Sequence, residues 1–578
     1  MRRKVEFRGS IAALFLTVIT LAAPASLHAA TLTYPGAAPC NTTLQTCVTG
    51  ASAGDTIQLA VNAVIAELVT IDKSLTVQPA PGFTPGVQRL FVSASATDVN
   101  VTVRNLTGLT TLRAVLGPGG GNLGLQALNN VINGSAFNPA INVTAGTGVP
   151  GTYGAANVTV TGNRISMIPD TFGNCTDAVA VIGVPTGFTA TIRNNDITVN
   201  DLRQCGGINV TIGGGAIATA TVDRNLVHGA NFDYGILVRN FGNNPGLPGG
   251  LLTAQVSNNL VYGQNGNVGA PAGLVVSADG NNARLAATLV NNTVADGRRG
   301  VLISAREDLG ASVTGGLFNT IVAFNSQFGI EIRSGATGFA NSHNLIFGNP
   351  DNVFTPGPGT INADPLFADR ATANYRLAPG SPAIDAGRDS ALPASFTLDL
   401  AGGPRRVGTI DIGAHEFAPF PTDVYAVKFH CGTFEAAPGI EGPVKSGNYQ
   451  TAINLHNPNP APVTFKRKAV LIFRADNPPS SAQPMPPGSF FPASLQANWG
   501  LEIDCRDIRQ VLLTNAVSPP TFIKGFVVIE VPGVSPGLPP RSLDVVVTYT
   551  AHGSTSESGV VRPEGFSLDV ERVTPTHR

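Results

Sequence analysis

The side chains best placed to do chemistry are arginines and carboxylates spaced at the interval of a repeat. Asp279 and Arg306 stand six residues after Gly273 and Gly300, and Arg239 and Arg333 stand four residues after Gly235 and Gly329. Asp233, Arg298, Arg299, Glu307, Asp308 and Glu331 lie near them in sequence. In a chain with only 13% charged residues, this clustering marks a candidate binding face made of Asp233, Arg239, Asp279, Arg298, Arg306, Glu331 and Arg333. The plainer reading is a solvated surface laced with ion pairs, each worth under about 1 kcal/mol. Catalysis would need more than charge. Sugar elimination needs a base against the ring and cations beside the carboxylate, and hydrolysis needs paired acids. The acids here stand singly between arginines, so no catalytic residue is assigned.

Two further sets merit a role. Asp385, Asp399, Asp411 and Glu416 sit among glycine- and proline-rich turns, and carboxylates with turn carbonyls suit calcium. The competing reading has them bonding to backbone amides and closing the end of a repeat stack. Phe490, Phe491 and Trp499 fall in a proline-rich stretch where a sugar-binding module would place an aromatic platform, although core packing gives the same residue types. No cofactor other than calcium is suggested.

The elements that must position these groups announce themselves through repetition. Asn105, Asn130, Asn163, Asn195, Asn225, Asn259, Asn292, Asn319 and Asn344 recur about every 30 residues, each opening a β-branched run. Periods of this size belong to units that bury their apolar face only by stacking. A second register, Gly207-Ile-Asn-Val, Gly235-Ile-Leu-Val, Gly273-Leu-Val-Val, Gly300-Val-Leu-Ile and Gly329-Ile-Glu-Ile, alternates apolar residues inward with one residue outward. The glycine suits a tight bend between sheets. Two strand types per coil, with a third expected, predict a right-handed parallel β-helix. Its asparagines should form one internal ladder, amide bonded to amide at the strand spacing of about 4.8 Å.

Composition sets the compartment and the partners. A net charge of −1 gives no basic surplus for nucleic acid. Arg2, Arg3, Lys4 and Arg8, then the apolar run Ile11 to Leu21, then the small residues at Ala29-Ala30, read as an export signal over residues 1–30. No later stretch is apolar enough for a transmembrane segment. Six cysteines in an exported chain read as disulfides. Their spacing pairs Cys40 with Cys47, Cys175 with Cys205 across adjacent coils, and Cys431 with Cys505.

Gly54-Asp-Thr-Ile-Gln-Leu and Leu68 to Val77 resemble the opening strands of the pectate-lyase-like β-helix family, in which a short helix caps the first coil. That resemblance covers residues 31–360. Asp364-Pro-Leu-Phe, Pro379-Gly-Ser-Pro-Ala-Ile-Asp-Ala-Gly and Gly408-Thr-Ile-Asp-Ile-Gly-Ala-His-Glu are similar to the choice-of-anchor Q segment that follows β-helices in bacterial surface proteins, here over residues 361–420. His415 departs from it, standing where that family carries an aromatic residue. From residue 421 to 578 seven alternating runs separated by proline-rich turns predict a smaller C-terminal β-sandwich; an Asn-Leu-His-Asn-Pro-Asn turn falls at 454–459.

The whole is an all-β, exported protein, placed outside the cell, at its surface or in the periplasm. It is expected to engage an extracellular polysaccharide or cell-surface component, with a polysaccharide lyase or glycoside hydrolase as the alternative. Against that alternative, the Gly-His-Gly and arginine-x-lysine motifs of the related hydrolases are missing, since His228 sits in Val-His-Gly-Ala.

Overall fold

The computed structural model describes residues 29–577 apart from 136–138, 147–152, 169–175, 184–186, 201–205, 214, 243–249, 267–271, 334, 337, 418–421, 436–443, 473–489, 514–521, 534–541 and 558–559. Most of the expected export signal, and both members of the Cys175–Cys205 pair, lie outside the described residues. The chain divides into two compact units, residues 1–362 and 363–578. The choice-of-anchor-like segment therefore groups with the C-terminal strands. No helix among the described residues is long and apolar enough to cross a membrane.

The first unit is a parallel β-helix. Three parallel sheets run its length: sheet I has twelve strands from Thr31–Tyr34 to Ala340–Ser342, sheet II eleven from Val64–Ile71 to Asp351–Val353, and sheet III eight from Val131–Ser135 to Leu345–Phe347. Alternation decides which side chains enter. In Phe188–Arg193 the residues Phe188, Ala190 and Ile192 are buried while Thr189, Thr191 and Arg193 face outward. Stacking in register then lines identical positions along the axis, as with Val158, Ala190, Ala220, Ala254 and Ala287. One continuous apolar core results, which no single coil could build alone.

At its start a short helix, Leu44–Gly50, buries Leu44, Cys47 and Val48 in that core. The Thr43 side chain accepts from Thr46 N, and the Glu67 carboxylate accepts from Leu44 N and Gln45 N at 3.1 Å each. The helix start thus has its free amides satisfied, and Cys40–Cys47 ties the approach to it.

The asparagine ladder exists, with a corrected membership. Nδ2 of Asn130, Asn163, Asn195, Asn225 and Asn259 each donates to Oδ1 of the next rung at 2.9–3.0 Å, ending at Asn292. Thr320 occupies the following rung, and its backbone N donates to Asn344 Oδ1 at 3.0 Å. Asn105 and Asn319 do not belong to this line. They occupy the preceding position, where the chain turns left-handed, with φ of 60° and 47°. Asn129, Asn194, Asn258 and Asn291 share that conformation, which asparagine tolerates better than other side chains. Two asparagine-preferring positions lie side by side, one for its amide and one for its backbone.

The glycine register also has a different cause from the bend expected of it. None of Gly207, Gly235, Gly273, Gly300 and Gly329 is in the left-handed region. A Cβ at Gly235 would lie 2.3 Å from Val261 Cγ1 and 2.7 Å from the Gly273 carbonyl oxygen, and one at Gly300 would lie 2.3 Å from Val322 Cγ1 and 2.4 Å from the Gly329 oxygen. Close approach of the next coil excludes any side chain.

The second unit carries a nine-stranded antiparallel sheet folded into a sandwich. Phe491–Leu495, Val463–Leu471, Phe522–Pro532 and Thr422–Phe434 form one layer; Gly500–Asp504, Gly447–His456, Asp544–Glu557 and Val560–Val573 form the other. The long strand Thr422–Phe434 joins them, pairing with Phe522–Pro532 along most of its length and with Gly447–His456 at its end. Tyr425, Val427 and Phe429 from one layer meet Ile453, Leu455, Val545 and Val547 from the other. Cys431–Cys505, with Cα atoms 5.6 Å apart, bridges them as expected.

Candidate functional site

Strand pairing on sheet II sets the outward-facing residues in columns. Arg239, Ser277 and Ser304 share one column that continues to Arg333, and Leu237, Val275, Leu302 and Glu331 share its neighbour. Asp279 and Arg306 follow the paired residues Ala278 and Ala305. Five of the seven predicted binding residues, Arg239, Asp279, Arg306, Glu331 and Arg333, are therefore brought onto one face by the period of the coil.

Each arginine on this face meets a carboxylate. Arg239 Nε lies 2.6 Å from Asp279 Oδ2, which also accepts from Ser277 Oγ at 3.0 Å. Arg306 binds Asp308 with two hydrogen bonds of 2.8 and 2.7 Å. This pairing holds the exposed Asp308 carboxyl below its ordinary pKa and raises that of the guanidinium. Arg333 Nε donates to Glu331 Oε1 at 2.9 Å, and Arg299 Nη1 lies 3.7 Å from Glu331 Oε2. The equal offset of Asp279 and Arg306 thus does not make them partners; Asp279 turns to the coil before it. Two aromatic rings complete the face. The Arg239 guanidinium lies 4.4 Å from the ring centre of Phe241, which is 56% exposed, and Arg299 lies 5.1 Å from that of Phe328. Asp279, Ser304, Ala305, Arg306, Glu307, Asp308 and Arg333 line an open depression of about 530 Å³.

Asp233 and Arg298 belong to the turn that leads into sheet II. Buried Gln264 organises that turn. Its Nε2 donates to the Asp233 carbonyl at 2.8 Å, its Oε1 accepts from Arg298 N at 3.3 Å, and Arg298 Nη1 donates to the Gly266 carbonyl at 3.1 Å. Their positions are those of turn residues, set apart from the columns.

Sequence reasoning missed two features of sheet II. Leu237, Val275 and Leu302 point outward yet are 3–9% exposed, packed with Ala272 and Tyr234, so this stretch of the outer face is dry. Beside it, Asn209 Nδ2 donates to Asp177 Oδ2 at 2.8 Å and the Tyr234 hydroxyl donates to Asp177 Oδ1. A Cβ on Gly206 would lie 2.0 Å from the Tyr234 ring, so that glycine makes the bed on which the ring rests. Burial and the adjoining Asp177 hold the Tyr234 proton more tightly than usual, and burial raises the Asp177 pKa. A tyrosine in that state is a poor general base at neutral pH. The signal was present only as spacing across three coils.

No family model, curated protein or solved structure matches the chain. What the structure shows is the parallel β-helix architecture itself.

Of the four carboxylates weighed for calcium, Glu416 pairs with buried Arg405, and Asp399 and Asp411 lie near enough to act on its charge. Arg405 is fully buried; its Nη2 donates to Glu416 Oε2 at 2.7 Å and its Nη1 to the Gly413 carbonyl at 2.9 Å. Glu416 Oε1 accepts from Val407 N at 2.8 Å, Asp399 accepts from Gly403 N and Glu416 N at 2.8 and 3.0 Å, and Asp411 accepts from Asp385 N at 2.7 Å and from Phe417 N. Asp385 is a left-handed turn residue with φ of 54°. Among the described residues, no three His, Cys, Asp or Glu side chains stand together as ligands of a metal would. Desolvation raises Asp411 to about 6 and lowers His415, which adjoins Arg376 and Arg405, to about 3. The cluster is a backbone-fastening device.

In the sandwich, the three aromatic candidates separate. Phe491 packs against the core, and Phe490 lies 4.4 Å and 4.3 Å from Nζ of Lys466 and Lys468. Trp499 is 63% exposed, so the core-packing role weighed for it does not apply.

Proposed function

We propose that this chain is an exported, non-catalytic β-helix protein that binds an extracellular polysaccharide along the outer face of sheet II. The observation that carries this reading is the Asp279–Arg239–Phe241 arrangement beside the open depression. An exposed aromatic ring offers its face to the apolar side of a sugar, while a carboxylate and a guanidinium held in a fixed plane suit vicinal hydroxyls. Columns repeating at the strand spacing suit a polymer, whose successive units meet successive coils. The positive and negative groups on the face balance in pairs, which supports recognition by hydrogen bonds and stacking over attraction to bulk charge. Surface attachment through the segment at 361–420 is part of the same proposal.

Affinity electrophoresis of the mature protein through gels containing soluble glucans, xylans, pectin or alginate tests the reading. At least one polymer should retard wild type, and Arg239→Ala with Phe241→Ala should weaken that retardation by roughly ten-fold or more, the loss typical of a truncated anchor. Retardation that survives the double change would locate binding elsewhere. Release of unsaturated ends or reducing sugar would instead favour the lyase or hydrolase alternative.

A further inference from the structure

Only seven of the 36 lysines and arginines in the chain are lysines, and four of the seven, Lys428, Lys466, Lys468 and Lys524, stand on one face of the sandwich. Three adjacent strands carry them: Thr422–Phe434, Phe522–Pro532 and Val463–Leu471. Alternation turns Val427, Val527 and Ala469 into the core, so the lysines at the intervening positions point outward. Strand pairing then sets them together. Lys466 stands opposite Glu530 and Lys468 opposite Val528, while across the other edge Lys428 stands opposite Phe526 and His430 opposite Lys524. The four charges thus border the half-buried side chains of Val470, Phe526 and Val528.

A single carboxylate compensates them. Glu530 lies 2.8 Å from Lys466 Nζ, and no other acid occupies an outward position of these three strands. Among the described residues, Lys428, Lys468 and Lys524 have no carboxylate within ion-pair distance. The excess charge acts on its surroundings: burial lowers the pKa of His430, and the positive charges of Lys428 and Lys524 lower it further. Phe490 lies on the same face, its ring centre 4.4 and 4.3 Å from Nζ of Lys466 and Lys468. Such cation–π contacts hold two otherwise mobile side chains in place.

Like charges gathered on one face repel and cost stability, and a polyanion laid across them removes the repulsion. We infer that this face of the sandwich binds an acidic polysaccharide through Lys428, Lys468 and Lys524, with Phe490 beside them, independently of the face on sheet II. The spread of the charges sets the size of the ligand. A small anion can touch one or two ammonium groups on a face whose outer strands are roughly 10 Å apart, whereas an extended chain with one carboxylate per sugar meets all of them, and linked contacts reinforce one another. The apolar side chains of Phe526 and Val528 between the charges suit the C–H faces of sugar rings. No arginine occupies an outward position of these strands, so the planar fork that grips phosphate with two bonds is missing. A uronate chain therefore fits better than a phosphate polymer such as nucleic acid.

Affinity gels and their salt dependence test the assignment. In low salt, polygalacturonate or alginate should retard the mature protein, and the retardation should vanish at about 1 M salt, where the screening length falls to about 3 Å. Lys428→Gln, Lys468→Gln and Lys524→Gln together should lower the retention by roughly ten-fold or more. Arginine at the same three positions should keep it, and Lys445→Gln, on a lysine outside these strands, should leave it unchanged. Arg239→Ala with Phe241→Ala should spare the salt-sensitive retention, which separates this face from the one on sheet II. Wild-type protein that neither acidic polymer retards in low salt, retention that persists in high salt, or a glutamine variant retained as wild type is, would overturn the assignment. Duplex DNA or vesicles of anionic lipid bound in preference to both glycans would overturn the ligand class.

Discussion

Asn225 and Asn105 look alike in sequence and differ in what they do. Asn225 accepts from Asn195 N and Nδ2 and donates to Ile192 O and Asn259 Oδ1, all in a dry interior. Asn225→Leu should cost roughly 3 kcal/mol or more, because several buried groups lose partners together. Asn105→Ala should cost about 1 kcal/mol, the left-handed backbone penalty alone. Equal losses in urea denaturation would put both on the ladder after all. His415 gives the pH-dependent case. Its folded pKa of about 3 lies below the ordinary 6.5, so the neutral ring contributes stability in full above pH 6.5. That contribution is lost as pH falls from 6.5 toward 3, by about 1.4 kcal/mol per unit. The stability difference between wild type and His415→Asn, measured from neutral pH down to about pH 4, should be flat above 6.5 and shrink below it. A difference that grows toward acid would mean the ring is charged in the fold.

At the scale of the element, the sequence revealed whatever repeats within one strand and hid whatever depends on the coil above. Alternation in Gly207-Ile-Asn-Val made the inward residues of sheet II readable, and equal offsets from glycine placed Arg239 and Arg333 in one column. Which carboxylate each arginine meets depends on side-chain reach, so Arg306 bonds Asp308 two residues on and Asp279 bonds Arg239 on the neighbouring coil. The dry stripe of Leu237, Val275 and Leu302 broke the inside–outside rule because outward apolar side chains bury one another. The glycines looked like bends, since a close backbone approach and a turn leave the same letter. That difference is measurable. Gly300→Ala places a methyl 2.3 Å from Val322 Cγ1 and 2.4 Å from a carbonyl, and should destabilise the helix by about 1–3 kcal/mol. Gly338→Ala, with nothing within 4 Å, should fall within about 0.5 kcal/mol of wild type.

For the whole molecule, the division at residues 362 and 363 separates two kinds of stability. The sandwich is closed by Cys431–Cys505 across 74 residues, worth about 4 kcal/mol in the chain-entropy model. Replacing both Cys431 and Cys505 by alanine should therefore lower the unfolding midpoint read by indole emission while leaving the transition of the β-helix in place; a shift of both would mean that they unfold as one. In the helix the cohesion of the ladder is distributed coil by coil. This gives the missing amide at Thr320 a mechanical meaning. Under tension along the axis each coil leaves its neighbour in turn, and a coil of about 30 residues releases on the order of 100 Å of chain. From Asn130 to Asn292 every such step must also break a ladder rung of 2.9–3.0 Å, whereas the step between Asn292 and Thr320 breaks only the longer bond one position before it, from Asn319 Nδ2 to Asn291 Oδ1 at 3.3 Å. A stretched molecule should tear first along that seam, so the substitution of one hydroxyl for one amide marks where the rod yields.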